Sequence, residues 1–170
     1  MFTIKAVRKI ALVVHNVRSA HNVGSILRSC EGLGINKVYL SGYTPYPSQE
    51  SDQRLPHESV RIDKQIQKTA LGAEKSLNWA HEPDINELIG HLSDDNYQIV
   101  ALEQTKVAIK LRDFKPSGKI ALVCGSEVGG LDKSILEKCD VHVQIPMLGK
   151  KESFNVAVAS AIALYHLRYA

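Results

Sequence analysis

Two glycine-rich turns that follow apolar, strand-like runs contain the residues best placed to hold a small molecule. Gly125–Gly130 follows the run Lys119–Cys124, and Ile145–Gly149 lies at the end of the next predicted strand. Glu152–Asn155 then leads into a helix. Ligands of α/β proteins bind beyond the carboxyl ends of strands, where glycine lets backbone N–H groups approach them closely. The pattern favours a small-molecule site; the alternative is that these segments are only tight turns.

Several other kinds of site are excluded by the motifs that the sequence lacks. No GxGxxG follows the first strand and no GxxxxGK[ST] occurs, so the two commonest nucleotide-binding signatures are missing. Ser126 is misplaced for a GxSxG nucleophile elbow. Cys124 ends a strand with no histidine nearby, which favours a buried structural cysteine over a nucleophile. The three cysteines are too far apart to suggest a zinc site, and we expect no metal.

Hydrophobic periodicity predicts an α/β chain that opens as strand, helix, strand. Ile10–His15 and Lys37–Leu40 are short apolar runs, and Asn22–Leu33 between them places apolar residues on one arc of a helix that stops at Gly34. This order predicts a parallel βαβ unit. Further strands are predicted at Gln98–Leu102, Lys119–Cys124 and Val141–Ile145, and further helices at Asp84–Ser93, Asp132–Lys138 and Asn155–Tyr169.

Two segments depart from this regular alternation. Gly42–Pro83 has a weak pattern and four prolines, so we predict a surface excursion with a few short elements. The last helix, Asn155–Tyr169, is apolar nearly all round, which predicts burial on every face. In a chain of this size such burial favours contact with a second subunit. The alternative is an ordinary central core helix.

The bulk properties are those of one globular domain. The chain has 170 residues, a net charge of +3 and a pI near 8.7, which permits a polyanionic partner without requiring one. An odd number of separated cysteines suits a reducing compartment, and no apolar run reaches membrane-spanning length. Met1–Lys9 does not have the pattern of a secretory signal. We therefore expect a cytoplasmic protein.

Three segments in order resemble the motifs of a known enzyme family. They are Asn22–Arg28 continuing to Gly34, then Leu122–Leu131, then Ile145–Met147 followed by Glu152–Ala159. Together they resemble the three motifs of the SpoU (TrmH-like) branch of the SPOUT RNA methyltransferases. The resemblance extends from about Ile10 to Leu167, and the combination is far more specific than any one motif.

The resemblance implies a fold and an activity. The implied fold is a parallel sheet flanked by helices with a C-terminal deep trefoil knot, which general rules of topology would not suggest. The implied assembly is a homodimer of single-domain chains, residues 1–170, without a separate RNA-binding domain. The implied reaction is transfer of a methyl group from S-adenosyl-L-methionine to a ribose 2′-hydroxyl of RNA.

The resemblance also implies five candidate catalytic residues: Arg28, Glu127, Ser153, Asn155 and Asn22. Arg28 matches the arginine credited with activating the hydroxyl, but a guanidinium stays protonated in proteins. We therefore expect it to clamp a phosphate through a bidentate contact, the alternative being a surface arginine. Asn22 is expected at the N-cap of its helix, where its side chain could hold both the turn and a ligand or only cap the helix. Glu127 is implied to orient Arg28 or the substrate, the alternative being an exposed loop acid. Ser153 and Asn155 are implied to hold cofactor and ribose, or only to cap a helix.

Six cofactor-contacting positions follow from the resemblance: Leu102, Gly125, Ile145, Met147, Ser153 and Phe154. Most would act through backbone groups and apolar packing around the adenine. The sequence departs from the commonest third motif at Phe154, where leucine is usual, and at Ala157, where serine is usual. Both changes reshape the adenine pocket, and neither removes a group assigned to chemistry. We expect an active enzyme.

The identity of the RNA is the least determined feature. The minimal chain favours tRNA over rRNA. The excursion Gly42–Pro83 contains side chains that could stack on unpaired bases: Tyr43, Tyr46, Arg54, His57 and Arg61. The alternative is that this segment is a mobile loop. The competing hypothesis is a non-catalytic RNA-binding or ribosome-assembly factor on the same fold, and a third is methylation of a protein or small molecule.

Overall fold

Seven parallel strands form the central sheet in a computed structural model that describes residues 7–170. Most of Met1–Lys9 lies outside the described residues. The strands are β1 Ile10–His15, β2 Lys37–Ser41, β3 Trp79–Glu82, β4 Tyr97–Leu102, β5 Ile109–Lys110, β6 Lys119–Cys124 and β7 Val141–Gln144. Their spatial order is β3-β2-β1-β6-β4-β7-β5, and every pair is parallel. The predicted α/β class with a parallel sheet is confirmed.

Helices cover both faces of this sheet. They are α1 Ala20–Gly32, α2 Pro56–Ala70, α3 Ala73–Ser76, α4 Ile85–Asp94, α5 Lys133–Leu136 and α6 Val156–Tyr169. Along β1, Ile10 and Leu12 pack in the core that includes α1, α2 and α6, while Ala11 and Val13 pack in the core that includes α4 and α5. Because both faces are covered, β1 is a continuous apolar run, as is typical of a parallel sheet.

The prediction for Gly42–Pro83 was wrong, because this segment contains the longest helix of the described residues. Helix α2 was missed for two reasons. Its buried residues are few (Ser59, Ile66 and Ala70) and most of its other residues are polar, so its apolar face is narrow. Pro56 occupies the first turn, where the missing N–H costs nothing, and was counted as a helix breaker. Short α3 and strand β3 complete the segment.

Helix α6 is buried on one face only within the chain, so the alternative of an ordinary central core helix is wrong, and burial of the other face by a second subunit stays a prediction. Ala163, Leu164 and Leu167 are buried in the core. The opposite face has a stripe of exposed apolar and aromatic side chains, 39–64% accessible: Val158, Ile162, Tyr165 and Tyr169. No other described element of the chain packs against that face.

Other expectations remain predictions at this level. The C-terminal knot, the homodimer, the single-domain boundary and the cytoplasmic location are in this group. Within residues 7–170 no helix is both long and apolar enough to cross a membrane. Over the same residues no group of three or more His, Cys, Asp or Glu side chains is arranged to hold a metal ion.

Candidate active site

A cavity of about 290 Å³ lies at the carboxyl ends of β4, β6 and β7, where the sequence predicts a ligand site. Its lining contains five of the six predicted cofactor-contacting residues: Leu102, Gly125, Ile145, Ser153 and Phe154. Met147 is not in the lining, because the chain turns outward after Ile145 and leads to Leu148, which is 99% exposed.

The glycine-rich loop Gly125–Gly130 closes on itself at one wall of this cavity. Ser126 and Gly130 exchange two backbone hydrogen bonds of 3.3 and 3.1 Å. A Cβ atom on Gly125 would lie 2.4 Å from the backbone carbonyl of Gly130, so only glycine fits there. Gly130 has a φ of +64°, a conformation that favours glycine. The loop therefore presents backbone rather than side chains to a ligand.

The lining fits a nucleoside cofactor. Leu102, Ile145 and Phe154 supply apolar surface suited to a flat purine ring, and the glycine-rich loop brings backbone N–H and C=O groups to the same space. Sites for small molecules combine apolar walls with a few fixed polar groups in this way.

Two residues that sequence reasoning missed hold the cavity walls together. Glu103 accepts a hydrogen bond from the Leu131 backbone N–H at 3.0 Å and so fastens the glycine-rich loop to β4. Gln104 donates from Nε2 to the Glu152 carbonyl at 2.8 Å and so fastens the segment before α6 to the same strand end. Both directly follow β4, and that position at the carboxyl edge is the signal that could have identified them.

Three of the predicted catalytic side chains form a hydrogen-bonded row beside the cavity. Asn155 donates from Nδ2 to Oδ1 of Asn22 at 3.2 Å, and Asn22 donates from Nδ2 to Oε1 of Glu127 at 3.1 Å. The backbone N–H of Arg18 donates to the other carboxylate oxygen of Glu127 at 3.2 Å. The row joins α6, α1 and the glycine-rich loop, which are far apart in sequence.

The predicted N-cap at Asn22 was wrong, because Ser19 caps α1. The Ser19 side chain accepts from the Asn22 backbone N–H at 3.2 Å, as N-cap residues do. Asn22 therefore lies in the first turn, with its amide free to reach Glu127. Asn155, in contrast, does cap α6 by accepting from the Ala157 N–H at 2.9 Å, while its Nδ2 reaches Asn22.

The hydrogen bonds around Glu127 keep its carboxyl group ionised. Partial burial alone would raise its pKa, but hydrogen bonds from its own N–H, from Asn22 and from Arg18 outweigh burial and lower the pKa below the ordinary value. A carboxylate with a lowered pKa is a weak base at neutral pH. The geometry therefore suits Glu127 to orient Asn22 and to hold negative charge at this edge.

Arg28 and Ser153 are not part of the hydrogen-bonded row. Arg28 is exposed on α1, six residues and about 9 Å along the axis beyond Asn22, and forms no ion pair within the described part of the chain. Glu127 contacts Asn22 and Arg18 instead of Arg28. Ser153 lines the cavity and is exposed.

Cys124 lines the cavity but is unsuited to act as a nucleophile. Its side chain is buried, and burial raises the pKa of its thiol to about 11. The reactive form of cysteine is the thiolate, so a thiol with this pKa is inert at neutral pH. Ser160 Oγ donates to the Val156 carbonyl at 2.6 Å and lies 3.6 Å from the Cys124 sulfur, so the end of β6 contacts α6 there.

Comparison with known proteins identifies the family. The model of the SpoU rRNA methylase family matches residues 9–165. The chain belongs to the SpoU rRNA methylase family. A Staphylococcus epidermidis protein assigned to the TrmH family of tRNA/rRNA methyltransferases is 26% identical over 163 residues, which is 96% of this chain and 59% of the relative. The chain thus spans about three fifths of the length of the curated relatives that it matches.

Solved structures described for RNA methylation share the fold. An AdoMet-bound rRNA methyltransferase from Sinorhizobium meliloti superposes with a TM-score of 0.80 at 21% identity, over 95% of this chain and 56% of the other. An RNA 2′-O ribose methyltransferase superposes with a TM-score of 0.77 at 23% identity, over 98% of this chain and 58% of the other. A structure described for the 2-OH methylation of C/U34 on tRNA gives 0.75 at 19% identity, over 94% of each chain.

Proposed function

We propose that this SpoU-family chain methylates a ribose 2′-hydroxyl of RNA with S-adenosyl-L-methionine as the methyl donor. One observation carries the proposal: the row Asn155–Asn22–Glu127 lies beside a cavity whose lining fits a nucleoside cofactor. Ionised and amide groups are thus gathered where an acceptor nucleotide would meet the cofactor. The AdoMet-bound relative from Sinorhizobium meliloti supports this choice of cofactor, and the RNA 2′-O ribose methyltransferase supports the acceptor.

The chain contributes position and charge to this reaction. When bound, S-adenosyl-L-methionine supplies an electrophilic methyl group, so the protein has no bond-making group of its own to provide. Leu102, Ile145 and Phe154 would hold the adenine, and Glu103 and Gln104 keep the cavity walls in place. Alignment of two reactants is worth up to about 7–11 kcal/mol, which makes this rigidity the main contribution of the fold.

The row of polar side chains positions the acceptor ribose. Asn22 is held from both sides, by Glu127 and by Asn155, so its amide cannot rotate freely. Unused N–H groups of the two asparagines can then donate to ribose or phosphate oxygens in a fixed direction. Because the pKa of Glu127 is lowered, this residue serves in orientation and not as the group that removes the hydroxyl proton. That proton would pass to solvent water, which reaches the exposed row.

Arg28 acts on the RNA rather than inside the row. Its exposed position on α1 and lack of an ion pair to residues 7–170 leave the guanidinium available to a phosphate. A bidentate contact would fix the phosphate beside the target ribose and offset charge that develops during transfer. Lysine cannot reproduce that fork, so Arg28→Lys is expected to lose most activity.

We further propose tRNA as the substrate class and a homodimer as the active assembly. The relative described for methylation of C/U34 on tRNA supports tRNA, since it aligns with 94% of its own length. The exposed stripe of α6, with Ile162 and Tyr165 at its centre, supports the homodimer. Exposed apolar patches of this kind mark interaction sites in monomeric chains.

A methyl-transfer assay tests the proposal. Wild type, Arg28→Lys and Arg28→Ala are incubated with labelled S-adenosyl-L-methionine and either unmodified tRNA or rRNA transcripts. Lys9→Ala, an exposed charge at the opposite edge of the sheet, is the matched control. We expect alkali-resistant label in tRNA with wild type and control, and little with either Arg28 variant. Intact cofactor binding without label in any RNA would favour the non-catalytic RNA-binding hypothesis.

A further inference from the structure

A second cavity, of about 400 Å³, lies at the carboxyl ends of β2 and β3, on the same edge of the sheet as the cofactor cavity. It is enclosed by the turn between β1 and α1, the loop Gly42–Tyr46 and one side of α2. Its lining is rich in arginine and aromatic residues: Arg18, Tyr43, Tyr46, Arg54, Arg61 and His81.

Part of this lining is a rigid internal framework. The Tyr46 ring is stacked on His81, with 4.0 Å between centroids and 21° between planes, and Arg54 lies 3.6 Å from the ring centroid. Two groups this close to one ring must occupy opposite faces. Arg54 also pairs with Asp52 at 2.5 Å and donates to the Tyr46 and Pro47 carbonyls. Arg54 and Tyr46 are therefore fully engaged within the protein.

The remaining groups of the lining are available to a ligand. Tyr43 is 56% exposed. Its backbone is fixed by the Asn16 side chain, which accepts from the Tyr43 N–H at 3.1 Å. The guanidinium groups of Arg18 and Arg61 form no hydrogen bond or ion pair with residues 7–170, and both residues line the cavity. Gln65, one turn beyond Arg61 on α2, adds an amide that can donate and accept.

These groups have the chemistry that recognises an unpaired nucleotide. Base stacking on an aromatic ring is worth about five- to 150-fold in affinity and tolerates any base. Arginine side chains bind phosphate in a bidentate manner. An exposed tyrosine, two unpaired arginines and an amide around a cavity of nucleotide size provide both contacts. His57, also predicted to stack, is exposed outside the lining.

Arg18 connects this cavity with the candidate active site. Its backbone N–H donates to Glu127 in the hydrogen-bonded row, and the same residue lines the second cavity. A nucleotide whose ribose lies at the row therefore has its neighbour within reach of Arg18. A single-stranded RNA chain can pass from one cavity to the other along the carboxyl edge of the sheet.

We propose that the second cavity binds the unpaired nucleotide adjacent to the one that is methylated, with the base on Tyr43 and its phosphate held by Arg18 and Arg61. This inference rests on the proposed function, because it assumes an RNA substrate. It assigns to the Gly42–Pro83 segment the selection of single-stranded over paired RNA, since a base in a duplex cannot enter the cavity.

Measuring RNA binding at several salt concentrations distinguishes base stacking on Tyr43 from phosphate binding by Arg61. The dissociation constant of the full chain for a labelled pool of unmodified tRNA transcripts is measured between about 50 and 200 mM salt. Arg61→Ala should weaken binding and reduce the slope of log affinity against log salt by about 0.7, the loss of one phosphate contact to a single strand. Tyr43→Ala should weaken binding about fivefold or more with an unchanged slope, and Tyr43→Phe should restore it.

Controls distinguish failure of this inference from failure of the proposed function. Lys9→Ala should change affinity by less than about twofold, and affinity for S-adenosyl-L-methionine should be the same in every variant, which excludes misfolding. If the variants weaken RNA binding as expected but wild type transfers no methyl group, the proposed function is overturned, and of the inference only the unpaired-nucleotide site in the second cavity is retained. If wild type methylates RNA while Tyr43→Ala and Arg61→Ala bind and react like Lys9→Ala, the inference is overturned. Absence of RNA binding by wild type overturns both.

Discussion

Replacing Gly125 by alanine tests how tightly the glycine-rich loop closes beside the cofactor cavity. The new Cβ would lie 2.4 Å from the Gly130 carbonyl carbon and oxygen and 2.7 Å from the Leu131 nitrogen. The obstructing atoms are backbone, so no side-chain rotation can relieve the contact, and the loop must open by about 0.6 Å or more. Overpacking of this kind costs about 1–3 kcal/mol of unfolding free energy.

The same displacement should appear in cofactor affinity. If the cofactor binds only the closed loop, the alanine variant must close the loop again on binding, against the cost of the overpacked Cβ. A cost of about 1–3 kcal/mol corresponds to about five- to 150-fold weaker affinity for the cofactor. Isothermal titration calorimetry with S-adenosyl-L-methionine measures this change. Thermal unfolding measures the loss of stability, about 2–4 °C in Tm for each kcal/mol in a domain of this size.

Gly129→Ala is the matched control in the same loop. Its added Cβ would meet only the Ser126 Oγ, at 3.4 Å, which is an ordinary contact with a movable side chain. This variant should keep near wild-type affinity and Tm. If Gly125→Ala binds the cofactor as tightly as Gly129→Ala and unfolds at the same temperature, the described closure of the loop is refuted.

Three further predictions concern other parts of the chain. Asp52→Asn should lower the unfolding free energy by about 1.5–3 kcal/mol in urea denaturation. The hydrogen bond from Arg54 lowers the pKa of Asp52, so the ionised carboxylate stabilises the folded state above about pH 4, and this stabilisation disappears as the pH falls from there. A difference in unfolding free energy between wild type and Asp52→Asn that stays constant with pH would contradict this pairing. Tyr165→Asp should convert the proposed dimer to a folded monomer in sedimentation experiments, and an unchanged sedimentation coefficient would refute that interface. Cys124→Ala should retain most methyl transfer because burial keeps the thiol protonated, whereas loss of transfer with cofactor binding intact would indicate a chemical role.

The sheet could be predicted from the sequence where its strands are buried on both faces. The runs Ile10–His15 and Lys119–Cys124 are continuous and apolar, and both were predicted with the observed ends. Strands β3 and β5 were missed because they lie at the sheet edges, are short, and carry no fully buried residue. Periodicity detects burial, and edge strands have little of it.

The sequence motifs predicted several residues of the candidate site, but not the hydrogen bonds that join them. Asn22, Glu127 and Asn155 came from the family resemblance, and the fold brings them together. Glu103 and Gln104 directly follow a predicted strand, which could have marked them as site residues, but their partners are backbone groups of distant segments, and only the fold shows those contacts. The N-cap was misplaced by three residues because both Ser19 and Asn22 have side chains that favour caps, and spacing alone does not choose between them.

The most direct test of the central claim is the identity of the methylated product. tRNA incubated with the wild-type chain and S-adenosyl-L-methionine is digested to nucleosides, and the products are separated and fragmented by mass spectrometry. We expect one nucleoside in which the extra methyl mass remains with the ribose fragment, and loss of that product with Arg28→Lys. A methyl group on the base fragment, or no methylated nucleoside from tRNA or rRNA while the cofactor still binds, would contradict it.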